Sequence, residues 1–229
     1  LIDAYSLADI PESETLLFDP QFSAIAASAA AQAGARVVSS EAFTCLYGWE
    51  QHPGPAPHLG EERVDDIKLV ADAAFANGIT MVVWHGMPFN GPNQSKRFYA
   101  STHVGPDAQF TNQLPKLNRY FSVVSRAMRA GATLSRLAVY LPTEEMQILD
   151  LLPEEQRRPS GNWHWEMHYA RFAEYLQGYR PIWTNATRLE SAGFDGQIVL
   201  GAMRVPCLYV DTPWLPYRAL HALLRLTEA

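Results

Sequence analysis

Short apolar runs alternate with longer amphipathic stretches along most of the 229-residue chain. Runs rich in β-branched and aromatic residues are typical of buried strands, and they occupy residues 37–40, 79–86 and 137–142. Alanine-rich or 3.6-periodic stretches predict helices over residues 22–33, 62–77 and 114–130. Because strands and helices alternate, the pattern predicts an α/β fold with a parallel sheet covered by helices.

Shorter signals continue the alternation towards the carboxy terminus. The pattern predicts strands over residues 181–183, 198–200 and 207–210, and helices over residues 163–176 and 218–226. At the other end, residues 1–5 are expected to end a strand and residues 9–14 to form an acidic loop. Composition shifts near Ser135, so we expect one domain over residues 1–133 and a second over residues 134–229.

A carboxylate follows the first predicted strand. Glu41 comes after Val37, Val38 and two serines, where we expect the strand to give way to a loop. The ends of parallel strands are where α/β barrels keep their catalytic groups. The structural alternative is a glutamate that hydrogen-bonds a neighbouring loop or faces solvent.

Trp84 and His85 end the strand predicted over residues 79–86. They could contact a ligand at the same face, or they could be a core tryptophan and a satisfied histidine. Aromatic residues make up 11% of the chain, which suits carbohydrate binding but also fits many other enzymes.

Charge and composition exclude some functions. The formal net charge is −6 and there is no lysine or arginine cluster, which argues against a nucleic-acid partner. The longest apolar run is far below the roughly 18 residues of a membrane span. Cys45 and Cys207 match no metal-ligand spacing, so we expect free thiols, with a disulfide as the alternative. There is no nucleotide phosphate loop and no serine nucleophile elbow.

Several motifs occur in a characteristic order. They are DIPESE at residues 9–14, VVSSEAFT at 37–44, GITMVVWHGMPF at 78–89, FYASTH at 98–103 and LAVYLP at 137–142. Together they resemble the large bacterial α-L-rhamnosidases, glycoside hydrolases with a (β/α)8 catalytic barrel. In that family the last motif opens a flavodoxin-like or amidotransferase-like accessory domain.

The resemblance implies a fold and an extent. Residues 1–133 would be the C-terminal part of the barrel, and residues 134–229 a partial flavodoxin-like α/β domain. The chain begins without methionine, so we expect a piece of a longer enzyme. A part-barrel would leave strand edges unpaired, which would favour association into an oligomer.

The resemblance also implies a chemistry. The family is expected to hydrolyse α-L-rhamnosides with inversion, which needs two carboxyl groups about 6.5–9.5 Å apart. Glu41 would be the general base, and Glu12 is the candidate acid within this chain, although the acid is expected on a preceding segment. A calcium ion near the sugar is expected, with Glu14 as a candidate ligand. The candidate sugar-binding residues are Trp84, His85, His103 and Trp49.

Other functions stay open at this point. The chain could be a non-catalytic carbohydrate-binding or scaffolding module built on the same barrel remnant. It could also belong to another barrel glycosidase, such as a β-galactosidase-like enzyme with the same accessory domain. The sugar, its linkage and its aglycone are not encoded in any motif.

Overall fold

The computed structural model describes residues 2–16, 21–49, 52–53, 62–87, 102–106, 108–151, 153 and 178–228, which form a mixed α/β fold. Its helices are α1 (Ile2–Tyr5), α2 (Gln21–Ala33), α3 (Val64–Ala76), α4 (Leu114–Ala130), α5 (Thr143–Leu151), α6 (Ala186–Glu190) and α7 (Tyr217–Thr227). Its strands are β1 (Glu12–Leu16), β2 (Ser39–Thr44), β3 (Gly48–Trp49), β4 (His52–Pro53), β5 (Met81–Trp84), β6 (Ala138–Tyr140), β7 (Ile182–Thr184), β8 (Gly193–Phe194), β9 (Ile198–Leu200), β10 (Met203–Val205) and β11 (Leu208–Tyr209). None of the helices in these ranges is long and apolar enough to cross a membrane.

The main helices form where the sequence pattern predicted them. Helix α4 has the predicted bounds and buries Leu117 and Phe121, which lie four residues apart on one side. Helix α2 ends before Gly34, whose φ of 76° is the left-handed conformation that glycine adopts at little cost. Propensity and periodicity therefore agree with the tertiary structure at these elements.

The chain divides into two compact units. The amino-terminal unit comprises Ile10–Ala27 and Arg36–Ala132, and the carboxy-terminal unit comprises Leu1–Asp9, Ser28–Ala35 and Thr133–Ala229. Residues 1–9 and 28–35 thus lie with the segment that the sequence assigned to the second domain. The predicted domain division at 133/134 stays a prediction.

The amino-terminal unit contains a parallel three-stranded sheet in the order β1-β2-β5. Its register pairs Glu14 with Glu41 and Glu41 with Val83, so these three residues lie side by side across the sheet. Side chains alternate between the two faces of a strand. The open face of this sheet carries Glu12, Glu14, Ser39, Glu41, Met81 and Val83, and the helix face carries Ser13, Thr15, Ser40, Ala42, Val82 and Trp84.

The helix face holds the core of this unit. Ala42 and Phe43 are buried there against α3 and α4, together with Ile67 and Phe121. Hydroxyl groups on the same face pair with one another, as Thr15 Oγ1 and Ser40 Oγ do at 2.6 Å. The core thus lies on one side of the sheet and leaves the charged side chains on the other.

The carboxy-terminal unit contains two further three-stranded sheets. The first is parallel in the order β11-β6-β7 and confirms the strands that the sequence predicted at its three positions. The second has the order β10-β9-β8 and is antiparallel throughout. The predicted strand at residues 198–200 exists, but its place in a parallel sheet was wrong, because short turns connect it to both neighbours.

Two predictions near the amino terminus were wrong. The first residues form helix α1 instead of a strand end, and the acidic segment enters strand β1 at Glu12 instead of staying a loop. Pro11 fixes its own φ and restricts the residue before it, but neither effect prevents a strand after it. Its carbonyl accepts a hydrogen bond from Ser39 N at 3.0 Å, so the proline leads into the sheet. The helix predicted at residues 163–176 lies outside the described residues.

Gly201 offers a test of the packing in the carboxy-terminal unit. Its φ is 60°, and a Cβ there would lie 2.1 Å from the backbone oxygen of Gln32. That oxygen accepts a hydrogen bond from Ala202 N at 2.8 Å, so the two segments cannot separate without losing it. We expect Gly201→Ala to lower the free energy of unfolding by about 3 kcal/mol, from overpacking added to backbone strain.

Gly196→Ala is the matched control, because Gly196 has a φ of 95° but no atom within 4 Å of an added Cβ. It should cost only the backbone strain, about 1 kcal/mol. Chemical denaturation of both variants measures the difference. Equal losses would show that the close approach to Gln32 contributes nothing.

Candidate active site

The open face of the parallel sheet brings three ionisable side chains together. Glu14 on β1 and Glu41 on β2 are register partners, and neighbouring strands lie about 4.8 Å apart. His85 follows β5, where its backbone N–H donates to Ala42 O at 3.1 Å. One ligand atom from each of Glu14, Glu41 and His85 lies within 4.8 Å of the others. The group is set by strand pairing, since Glu14 and Glu41 lie on paired strands and His85 directly follows a third.

His85 contacts Glu41 directly. Its Nδ1 lies 2.8 Å from Glu41 Oε1, and both side chains are 40% exposed. A carboxylate can only accept a hydrogen bond, so Nδ1 carries the hydrogen in this contact. The imidazole therefore fixes one oxygen of the Glu41 carboxylate at a surface that is open to solvent.

A bulge in β2 shapes the carboxyl end of the site. The register of β1 and β2 shifts so that Thr15 pairs with Ala42 and Leu16 with Thr44, which leaves Phe43 as an extra residue with a φ of 75°. Phe43 consequently points into the core beside Ala42. The alternation resumes one residue later, and Thr44 Oγ1 lies 2.7 Å from His85 Nδ1. Bulges in strands commonly redirect side chains next to functional sites.

The environment of Glu14 disfavours its charged form. Burial raises the pKa of Glu14, and the nearby negative charge of Glu41 raises it further. A hydrogen bond from Thr44 and the neighbouring His85 act in the opposite direction without cancelling the rise. Burial and then the charge of Glu14 also raise the pKa of the Cys45 thiol. The surroundings of Glu14 therefore favour its protonated form more than those of an ordinary glutamate do.

His103 lies at the same end of the sheet. The backbone on either side of it is fixed, because Thr102 N donates to Phe43 O at 3.1 Å and Val104 N donates to Gly86 O at 2.9 Å. His103 is half-buried and follows the buried Thr102. The structure thus places this predicted sugar-binding residue beside the bulge, and its role stays a prediction.

The structure does not bring Glu12 to Glu41. Glu12 lies on the open face but pairs with Ser39, nearer the amino ends of the strands, and Ser39 Oγ donates to Glu12 Oε2 at 2.6 Å. Glu14 occupies the position beside Glu41 instead. Glu12 thus lies two register positions further from Glu41 than Glu14 does, and its role as the acid stays a prediction.

Trp84 lies on the helix face, opposite Glu41. Its ring centroid is 4.7 Å from that of Phe43 and 5.6 Å from that of Phe121, and its Nε1 donates to Asn118 Oδ1 at 2.9 Å. It also lines a cleft of about 410 Å³ between β5 and α4, which none of the three clustered residues lines. The structure therefore separates Trp84 from the site that the sequence placed it in. The side chain of Trp49, another predicted sugar contact, lies outside the described part.

Sequence reasoning assigned Glu14 to a metal and gave Thr44 no role. Period-2 counting gave no clear signal for Glu14, because Ser13 and Thr15 between the glutamates are polar as well and Leu16 falls in the same alternating set as Glu12 and Glu14. Thr44 gave no signal, since period-2 counting from Glu41 assigns it to the helix face.

The ligands that calcium requires can be compared with the donor atoms of the clustered residues. Calcium takes about six to eight oxygen ligands, whereas Glu14 and Glu41 supply carboxylate oxygens and His85 supplies a nitrogen. The Nδ1 of His85 is also already directed at Glu41 and Thr44. These three residues do not make a calcium site by themselves. Calcium binding at Glu14 stays a prediction.

The comparisons with known proteins are informative only at the level of structure. No family model matches the sequence, and no curated protein matches it. The fold is similar to a solved structure of the rhamnosidase from Novosphingobium sp. PP1Y, with a TM-score of 0.61 and 16% sequence identity. The match covers 98% of this chain and 21% of that one, so the chain spans about a fifth of the length of the rhamnosidase. At this identity the likeness shows the fold alone.

The raised pKa of Glu14 gives a testable dependence of stability on pH. The folded chain holds the Glu14 proton more tightly than the unfolded chain, so the stabilisation is complete below the ordinary pKa of 4.5 and is lost as pH rises through the raised value. We expect the wild type to lose stability relative to Glu14→Gln over this range. Thermal unfolding of both proteins between pH 4 and 8 measures it. A difference that does not vary with pH would contradict the assignment.

The position of Trp84 gives a second test. Because its ring packs on Phe43 and Phe121, Trp84→Ala should lower the free energy of unfolding by about 2 kcal/mol, less than for a fully buried tryptophan. Trp84→Phe keeps most of the contact and should cost about half as much. Denaturant unfolding measures both losses. A Trp84→Ala protein of wild-type stability would argue against this packing.

Proposed function

We propose that this chain is part of a rhamnosidase-type glycoside hydrolase and carries a catalytic carboxylate, Glu41, on a parallel sheet. The observation that carries the proposal is the contact of His85 Nδ1 with Glu41 Oε1 at 2.8 Å, beside a second carboxyl on the neighbouring strand. A half-exposed carboxylate, oriented by a donor and next to a carboxyl of raised pKa, is typical of acid/base sites. The structural likeness to a rhamnosidase supports the substrate class.

In this proposal Glu41 acts as the general base. His85 holds Oε1, so the other oxygen of the carboxylate accepts the proton of a water molecule. The deprotonated water attacks the anomeric carbon, and the glycosidic bond breaks as an acid protonates the leaving oxygen. His85 keeps the carboxylate in one orientation during this step, and the exposure of both side chains lets a sugar reach them.

The spacing of the carboxyls bears on which residue is the acid. Glu14 and Glu41 present oxygens within 4.8 Å, closer than the roughly 6.5–9.5 Å of an inverting pair. With inversion, which the family resemblance implies, the acid is a third carboxyl outside the described residues, across the sugar from Glu41. The raised pKa of Glu14 favours its neutral form, which limits the negative charge beside Glu41.

The remaining expectations become part of the proposal. The β1-β2-β5 sheet with its helices belongs to the C-terminal part of a (β/α)8 barrel, and residues 134–229 to a flavodoxin-like accessory domain. His103 and His85 contact sugar hydroxyls, since both lie at the carboxyl ends of β2 and β5. The position of Trp84 on the helix face favours a structural role for it over sugar binding.

Glu41→Gln in the full-length protein, assayed on an aryl α-L-rhamnoside, tests the proposal. We expect kcat to fall by about 100-fold or more, because the amide cannot accept a proton, while KM stays near the wild-type value. The matched control is Asp65→Asn, which also converts a carboxylate into an amide, at an exposed position in the first turn of α3. It should keep wild-type turnover.

The outcomes separate the alternative functions. Near wild-type turnover of Glu41→Gln would remove Glu41 from the mechanism. A wild type that cleaves aryl β-galactosides instead would identify another barrel glycosidase. A wild type that binds L-rhamnose but cleaves no glycoside would favour the carbohydrate-binding module.

A further inference from the structure

The residue that links the three clustered side chains is Thr44. It is 7% exposed and lies where the bulge ends, at the last position of β2. Its Oγ1 lies 2.7 Å from His85 Nδ1, and its hydroxyl hydrogen-bonds the Glu14 carboxylate. A hydroxyl has one hydrogen and can also accept, so Thr44 can donate to Glu14 while it accepts from His85. The Nδ1 hydrogen is then shared between Thr44 and Glu41.

The bulge that places Thr44 is fixed from two directions. The Phe43 side chain is fully buried and packs on Trp84 and Phe121. The Phe43 carbonyl accepts two hydrogen bonds from Thr102, from its backbone N at 3.1 Å and from its Oγ1 at 2.8 Å. A residue with a positive φ other than glycine is costly, so these contacts must offset its strain.

Without the bulge the site would be different. In a regular strand Phe43 would follow Glu41 onto the open face, and Thr44 would point into the core. An apolar ring would then lie beside Glu14 and His85 in place of a hydroxyl. The extra residue thus turns the Phe43 side chain into the core and the Thr44 side chain onto the open face. This happens at the point where the carboxylates and the imidazole meet.

We propose that Thr44 is a positioning residue, which the Phe43 bulge directs to the open face to hold Glu14 and His85 in one hydrogen-bonded arrangement with Glu41. The structural part of this proposal stands on the geometry, and its effect on turnover rests on the proposed function. Thr44 itself exchanges no proton with a substrate. It limits the rotation of the His85 ring and so maintains the orientation of the Glu41 carboxylate.

Thr44→Val in the full-length protein tests this, since valine keeps the shape and removes the hydroxyl. We expect kcat on the aryl α-L-rhamnoside to fall by about tenfold with KM within about twofold of wild type, because only the alignment of the base is lost. Thr44→Ser keeps the hydroxyl and should restore most of the turnover. Thr44→Ala also removes the hydroxyl. It should show the same fall in kcat, and it replaces Thr44→Val as the test if the valine variant folds poorly.

Thr15→Val is the matched control. Thr15 is a buried threonine of the same sheet on the helix face, where its hydroxyl contacts Ser40 instead of the clustered residues. It should lose stability and keep wild-type kcat. An equal fall in kcat for Thr15→Val and Thr44→Val would show a general effect of the sheet and overturn the proposal.

Crystal structures of the variants give a readout that needs no activity. In Thr44→Val or Thr44→Ala we expect the His85 ring to rotate away from Glu41 Oε1, and in Thr44→Ser we expect the wild-type contact. A His85 ring that stays in place in both removals would overturn the proposal. If the ring moves but the wild type cleaves no rhamnoside, the positioning role stands and the proposed function fails.

Discussion

The hydrogen bond between the His85 imidazole and the Glu41 carboxylate is the contact on which the functional interpretation depends. It joins the residue after β5 to the middle of β2, and it exists because parallel pairing places Glu41 beside Val83, two residues before His85. Both side chains are 40% exposed, so the contact gives the fold little stability and serves mainly to orient the carboxylate. Glu14 adds a second carboxyl from β1 at the same level of the sheet.

The separation of the two faces makes this arrangement tolerable. The helix face carries the apolar core, with Phe43 buried and Trp84 packed against it. The open face can therefore hold two carboxyls at close range without charges buried in that core. After burial, the negative charge of Glu41 contributes to the raised pKa of Glu14, and the neighbouring His85 acts in the opposite direction. Charges paired in this way are common at acid/base sites and rare in structural cores.

Sequence reasoning expected Glu41 and His85 at strand ends. The structure has His85 directly after β5, but Glu41 lies within β2, because the strand continues to Thr44. Sequence reasoning also gave the bounds of α4, where a 3.6-residue period extends over 17 residues. It could not place Trp84, because the face of a strand residue depends on register, and register is set by pairing with residues distant in the chain. It failed at Glu14, where Pro11 indicated a loop although the strand begins directly after it. Thr44 was beyond reach, since the bulge at Phe43 inverts the alternation and is stabilised by Thr102, 59 residues later.

A double-mutant cycle on kcat with His85→Gln, Glu41→Gln and the double variant measures the central contact most directly. If His85 affects kcat by orienting Glu41, the double variant has the kcat of Glu41→Gln alone, and the two effects are strongly non-additive. Fully additive losses would show that the two residues act independently. The imidazole would then not be what directs the carboxylate.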